Sequence, residues 1–489
     1  MQDSTGVDGL DEVLRGGLPS GQLYLLEGPP GSGKTTLGLQ FLLEGARRGE
    51  RVLWCTLAET ERQIRDAAKA HGWDLSGVDI VNLAEVDRPH AGSQEEYSFF
   101  SPGDVELNDV VHKIIETTSQ RRPRRIAFDP FSDVKLLARD PLRFRRQLLR
   151  LRDHFSELGT TVLLIQESHL ASEQDVAGEG VVHGVIALFQ HAPDFGKQRR
   201  RLRVRKLRGI PFREGYHDMT IETGGVQVFP RLVASEHDEQ VERGAQSSGD
   251  AEFDKMLGGG VDLGSSMLVT GPSGVGKSTI CMQFANTMAE HGGKAVIFMF
   301  DETRRALLAR ADALGMQTRR HVEDGTVEVR QIDPAEFSPG EFAHLARKAV
   351  EQDGARLVVI DSLNGYMAAM PDEKHLAMHM HELLTYLANR NVCTLVTLNQ
   401  QGIVGEQSHS SVDVTYLTDT AVLIRYFELA GEVRRALAVV KRRIGEHDPS
   451  IREMRISPPG IQLLGTLKGF RGVLTGQPES RSIDDETQD

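Results

Sequence analysis

Cysteine is scarce in this chain of 489 residues: Cys55, Cys281 and Cys393 are all it has. None sits in a Cys-x-x-Cys pair, which excludes a disulfide framework or a thiolate zinc site as the organising element. All three fall in apolar runs and are expected to be buried thiols. No stretch of about 18 apolar residues is present, so no membrane span is expected. The first residues, Met1-Gln2-Asp3-Ser4-Thr5, lack the basic and then apolar character of a secretory signal. A cytoplasmic location is the natural expectation. Positive charge is in deficit as well, with a formal net charge of −13. That argues against a protein whose main task is coating nucleic acid. What is left is a soluble globular composition on a chain long enough for two or three domains.

Against these absences one stretch stands out. Gly271-Pro272-Ser273-Gly274-Val275-Gly276-Lys277-Ser278-Thr279 follows the apolar run Met267-Leu268-Val269-Thr270 and precedes Ile280-Cys281-Met282-Gln283-Phe284-Ala285. Strand, glycine-rich loop, Lys-Ser/Thr and helix form the P-loop arrangement. The glycines let backbone N–H groups turn inward around phosphate, and the helix N-terminus adds its positive end. Lys277 is placed for the outer phosphates and the Ser278 hydroxyl for Mg2+. The stretch recurs as Gly28-Pro29-Pro30-Gly31-Ser32-Gly33-Lys34-Thr35-Thr36, its lysine 243 residues earlier.

The two halves correspond beyond the loops. Gly9-Leu10-Asp11-Glu12-Val13-Leu14-Arg15-Gly16-Gly17 precedes the first, and Ala251-Glu252-Phe253-Asp254-Lys255-Met256-Leu257-Gly258-Gly259 the second. Each reads as a short helix closed by glycine. Apolar runs ending in acid follow, Arg125-Ile126-Ala127-Phe128-Asp129 and Leu357-Val358-Val359-Ile360-Asp361. This is the Walker B pattern, whose carboxylate orders Mg2+ directly or through water. Fourth strands end in Gln166-Glu167 and Asn399-Gln400, where a γ-phosphate sensor would sit. Strands alternating with helices predict an α/β fold: two tandem P-loop domains, each a mainly parallel sheet flanked by helices. The expected boundaries are 1–234 for the first domain, 235–246 for a polar linker, 247–465 for the second domain and 466–489 for a tail that is partly disordered.

Candidate catalytic acids follow the second strand of each half: Glu59 after Ala58, and Asp301 with Glu302. A carboxylate there can orient or deprotonate a nucleophile near the γ-phosphate. The bland alternative is that these acids cap the next helix, since Thr60 and Thr303 follow directly. Basic segments close each half, Arg199 to Arg208 and Arg434 to Arg443, and their partial alternation suggests edge strands. They lack the interleaved aromatics of a nucleic-acid groove. The favoured reading is that they carry cations across a subunit border to a neighbour's ATP, in a ring closed by head-to-tail contacts. A solvated strand face is the alternative.

These residues resemble the KaiC family, the double-domain RecA-like ATPases of the bacterial circadian clock. The resemblance runs from about Ser4 to Leu464. It rests on the paired P-loops, the Gly16-Gly17-Leu18-Pro19 turn, Asp301-Glu302, Leu417-Thr418-Asp419-Thr420, and Lys441-Arg442-Arg443 followed by His447-Asp448. It implies ATP and Mg2+ as cofactors, a homohexamer of two stacked rings with ATP between subunits, and an autokinase in the second domain. It also implies KaiA-like and KaiB-like partners. By the same resemblance Lys206, Leu207, Arg208, Lys441, Arg443 and His447 would touch a neighbour's ATP. Thr415 stands at the family's phosphoacceptor serine and Tyr416 at its threonine, with Ser408, Ser410 and Ser411 as nearby substitutes. Ala58 replaces the first of two glutamates, Phe212 a histidine and Ile444 a glycine. Two other classes stay open: a non-kinase ATP-dependent scaffold ring, and a DNA-dependent RecA-like motor.

Overall fold

The computed structural model describes residues 1–83, 102–138, 140–167, 176–234, 244–333, 335–368, 375–400, 415–475 and 479–480. Ser408, Ser410 and Ser411, residues 235–243 of the linker, and residues 476–478 and 481–489 of the tail lie outside the described residues. The chain divides into two compact units, Met1–Arg231 and Leu232–Asp489. Leu232 packs into a core of the second unit. Ala245–Gln246, at the end of the expected linker, pairs with Val261–Asp262. In the tail, Val473 is buried against Phe427 and Ala436.

The first unit is built on a nine-stranded sheet. In chain order its strands are β1 (Leu23–Gly28), β2 (Val52–Thr56), β3 (Asp79–Asn82), β4 (Arg125–Asp129), β5 (Thr161–Glu167), β6 (Gly184–His191), β7 (Arg199–Leu207), β8 (His217–Glu222) and β9 (Gly225–Phe229). Across the sheet they run β3-β2-β4-β5-β1-β6-β7-β8-β9. The first six are mutually parallel and the last three are added antiparallel. The second unit repeats this order with β10 (Ser266–Gly271), β11 (Lys294–Met299), β12 (Val327–Gln331), β13 (Ala355–Asp361), β14 (Cys393–Asn399), β15 (Thr420–Leu429), β16 (Glu432–Arg442), β17 (Arg452–Ser457) and β18 (Gly460–Thr466).

The central strands are near-continuous apolar runs because both faces are covered. Side chains alternate between two cores, as a period of two requires. Tyr24, Leu26 and Trp54 join one cluster with Leu37 and Phe41 of helix α1 (Lys34–Arg47). Leu23, Leu25, Leu53 and Phe128 join the other with Leu148 and Phe155. In the second unit Met267, Val269 and Ile297 pack with Ile280 and Phe284 of helix α2 (Lys277–Glu290). Leu268, Val296 and Val358 pack with Leu383 and Leu387. Cys55, Cys281 and Cys393 are all buried within these layers. Among the described residues no helix is long and apolar enough to cross a membrane.

The basic segments are not simple edge strands, which corrects the expectation from their alternation. β7 pairs with β6 on one side along its whole length and with β8 on the other over Arg200–Leu202. β16 likewise pairs with β17 only over Arg435–Leu437. The hairpin that follows each strand supplies the partner, leaving the Lys206 and Lys441 ends paired on one side.

Candidate active site

Each P-loop leaves a fully buried strand and turns into a helix through glycines with positive φ. Gly31 and Gly33 have φ of 75° and 99°, and Gly274 and Gly276 have 76° and 117°. A Cβ on Gly33 would stand 2.6 Å from Ile221 Cδ1, and one on Gly276 would stand 2.7 Å from Ile456 Cδ1. Only glycine suits both demands. Lys34 Nζ donates to the carbonyls of Gly28 and Pro29, each at 2.9 Å. Lys277 Nζ donates to Gly271 and Pro272 at 3.0 and 2.8 Å. The buried lysines therefore lie folded along their loops. Burial lowers the proton affinity of both, Lys277 to about 8, while Asp361 and Asp301 resist that fall. Val275 contributes backbone alone, because its side chain belongs to the core. Among the described residues Ser32 Oγ is buried without a hydrogen-bond partner, as is Gln400 Oε1 beside the second loop. Orphaned polar atoms at a phosphate-shaped loop are what a bound ligand would satisfy.

The Walker B carboxylates act on both loop lysines through their charge, and the first is also tied to its loop by a hydrogen bond. Thr35 Oγ1 donates to Asp129 Oδ2 at 2.6 Å. Ser278 is half-buried at the matching position, and Asp361 accepts a hydrogen bond from Thr397 instead. The donors are hydroxyl and carboxylate oxygens, the set a hard divalent cation selects. Among the described residues no three His, Cys, Asp or Glu side chains form a cluster able to hold a metal. An ion here would therefore depend on phosphate oxygens and water. Thr36 is half-buried and Thr279 buried on the first helical turns.

The acids after β2 and β11 do not cap helices. Thr60 caps Glu61–Ala70, with Gln63 closing a capping box, and Thr303 caps Arg304–Ala313 through the Ala306 N–H. Glu59 is exposed, and its charge acts on Asp129. Asp301 accepts a hydrogen bond from Ser362, the residue after Asp361. Glu302 turns away into a two-bond ion pair with Arg310, at 3.0 and 2.8 Å. Adjacent acids thus take different partners, a division no spacing rule discloses.

The basic segments make contacts within their own units. Lys206 Nζ donates to the carbonyls of Glu179 and Val182, and Lys441 Nζ to that of Thr418 at 2.6 Å. Arg208 donates to Gly180 O at 3.0 Å, and Arg443 to Tyr416 O at 2.6 Å and Asp419 at 3.2 Å. Leu207 lies partly against the core and His447 is half-buried. Thr415 opens a short 3-10 turn, Thr415–Leu417, immediately before β15. Tyr416 is exposed and Leu417 buried. The signature residue Asp419 has a structural task that sequence reading missed: it accepts from both Ser266 N and Ser266 Oγ at 2.9 Å, clipping the start of β10.

Burial pushes the Asp129 carboxyl up to about 6, opposed by the Thr35 hydroxyl and Lys34 and reinforced by Glu59 and Glu167. A carboxyl raised on folding binds its proton more tightly in the folded state, so its contribution to stability grows as pH falls below about 6. Above that pH the buried charge opposes folding. Metal-free Asp129→Asn protein should therefore melt at a higher temperature than the parent at pH 7.5 and lose much of that advantage at pH 5. Mg2+-dependent hydrolysis by the first site should fall in the same variant. Thermal melts at the two pH values check the first part, and ATPase assays in a Lys277→Ala background check the second.

Comparison with known proteins agrees with this geometry. A family model described as "ATPase: KaiC" matches twice, over residues 4–233 and 247–468. The circadian clock oscillator protein KaiC of Synechococcus elongatus is 27% identical over 490 residues, covering 99% of this chain and 93% of the relative. The circadian clock protein KaiC3 of Synechocystis sp. is 26% identical over 480 residues, covering 97% and 94%. The KaiC of Parathermosynechococcus lividus is 27% identical over 493 residues, covering 99% and 89%. Each family match contains one complete P-loop, its Walker B aspartate and the acid beside it, and on that footing the chain belongs to the KaiC ATPase family.

Proposed function

We propose that this chain is an Mg-ATP hydrolase that works as a homohexameric signalling or timing ring, with a serine/threonine autokinase in its second half. The observation that carries the reading is the duplicated placement of a buried P-loop lysine within electrostatic reach of a strand-end carboxylate, with a second acid acting on each pair. In the first site Lys34 binds phosphate oxygens, and Thr35 and Asp129 hold Mg2+. In the second, Lys277, Ser278 and Asp361 take these roles. When bound, Mg2+ neutralises charge on the β- and γ-phosphates. Glu59 orients a water in the first site and accepts its proton as oxygen bonds to the γ-phosphorus and the bond to the ADP oxygen breaks. Asp301 does the same for the nucleophile of the second site, and Glu302 keeps Arg310 and the following helix in place.

In the kinase reaction the nucleophile is the Thr415 hydroxyl of an adjacent subunit, at the mouth of that subunit's β15. Lys206, Leu207, Arg208, Lys441, Arg443 and His447 face a neighbour's nucleotide, and KaiA-like and KaiB-like proteins are the partners to try. One observation favours a second reading, a scaffold ring without kinase activity. Tyr416 occupies the second acceptor position with an exposed phenol, and its carbonyl is taken by Arg443. Intact mass and phosphopeptide mapping after incubation with Mg-ATP decide between them. Phosphate on Thr415, absent in Lys277→Ala, is the expected result. ATP hydrolysis with no phosphorylated residue would replace the kinase with the scaffold.

A further inference from the structure

Among the described residues, the first site has a third carboxylate for which the second has no counterpart at the matching strand end. Glu167 ends β5, and its Cα pairs in register with Gly28, where the P-loop begins. Strand β5 lies between the P-loop strand β1 and the Walker B strand β4. Glu167 thus stands between the phosphate lysine and the metal-side aspartate. Its charge reaches both, raising the proton affinity of Lys34 and of Asp129, and that of Asp133 as well. The side chain is exposed, and among the described residues no ion pair engages it.

The matching register position of the second sheet is Asn399, which pairs with Gly271. Asn399 is neutral and its backbone is locked: its N–H donates to Asn364 Oδ1, and its carbonyl accepts from Asn364 Nδ2. The loop lysine and Walker B aspartate are common to both sites, and this position, like the acids after β2 and β11, is one at which their electrostatics part.

A carboxylate beside a triphosphate is repulsive by itself and becomes favourable only with a cation between them. The Thr35–Asp129 pair marks where that cation belongs. Glu167 acts on Lys34 and Asp129 through charge and, among the described residues, hydrogen-bonds to neither, which leaves room for a water between its carboxylate and that cation. We propose that Glu167 is a positioning residue of the first site. Its carboxylate accepts hydrogen bonds from water in the hydration shell of the metal–nucleotide complex, which tightens divalent-cation binding at this site alone. The inference rests on reading both P-loops as ATP sites.

The test uses the full chain in a Lys277→Ala background, so that the first site is read by itself. Mn2+ stands in for Mg2+ and is followed by electron paramagnetic resonance in the presence of ATP, and a fluorescent ATP analogue reports binding with and without metal. Glu167→Asn, the second site's own solution, is expected to weaken Mn2+ binding about 10-fold, the lower end for loss of an outer-shell partner. Metal-free binding of the analogue should stay level or tighten. Glu167→Gln should behave the same way and serves if the asparagine variant folds poorly, while Glu167→Asp should restore part of the affinity. Unchanged Mn2+ affinity overturns the proposal. So does an equal loss with and without metal, which would make Glu167 merely structural. The double variant Lys34→Ala with Lys277→Ala separates the two levels. If it still binds the analogue, the reading of the P-loops fails; if it does not, a null result at Glu167 removes only this inference.

Discussion

Lys277→Ala is expected to abolish phosphorylation of the chain, while Lys34→Ala mainly impairs ring assembly and hydrolysis. Both lysines are buried, 6% and 8% exposed, and each donates to two carbonyls of its own loop. Alanine removes the cation that would meet the transferring phosphate and leaves those carbonyls without their shared donor. Losing one preorganised donor to developing charge costs about 100- to 1000-fold in rate, and a full positive charge in a sheltered loop belongs at the upper end. Phosphopeptide mapping and light scattering with and without ATP check the pair. If both variants lost every activity equally, the division of labour between the halves would be wrong.

Gly276→Val should disable the second site through the backbone. At φ 117° a β-branched residue is strained, and its Cβ would stand 2.7 Å from Ile456 Cδ1. Left-handed backbone costs about 1–2 kcal/mol for an L-residue, and overpacking against a held side chain about 1–3 kcal/mol. The expected destabilisation of the second unit is therefore about 2–5 kcal/mol, read as a lower urea midpoint, with binding of a fluorescent ATP analogue to that site lost. Adding Ile456→Ala relieves the collision but not the dihedral strain. It should recover part of the stability and none of the binding. Recovery of binding would place the fault in packing rather than in loop geometry.

Most of the fold was legible because its signals are local. The central strands are uninterrupted apolar runs, the P-loops have fixed spacing, and Asp129 and Asp361 close their strands. The pairing of Asp301 with Ser362, and of Glu302 with Arg310, was not legible. Consecutive residues after a strand turn opposite ways, and which one faces the site depends on a partner brought by another strand. The same holds for Glu167, whose meaning comes from strand order and not from its neighbours in sequence. The arginines of β7 looked like an exposed edge because their counterions are distant in the chain: Glu27 meets Arg205 and Asp218 meets Arg201. Asp419 belongs to a signature visible in sequence, but its task of clipping β10 spans 153 residues.

The depth of the three cysteines carries a consequence for oxidative chemistry. Burial pushes each thiol upward, Cys393 to about 12 and Cys55 and Cys281 likewise above the ordinary thiol range. The thiolate is the reactive form, so the native chain offers oxidants almost none of it. Cys281 lies on the helix that leaves the second P-loop and Cys55 on the strand that leads to Glu59. Sulfenylation or glutathionylation at either position would first require its sheet and helix to part. An oxidant in solution therefore meets these thiols only when the layers around them open, so oxidation of the three cysteines would report local unfolding rather than native chemistry.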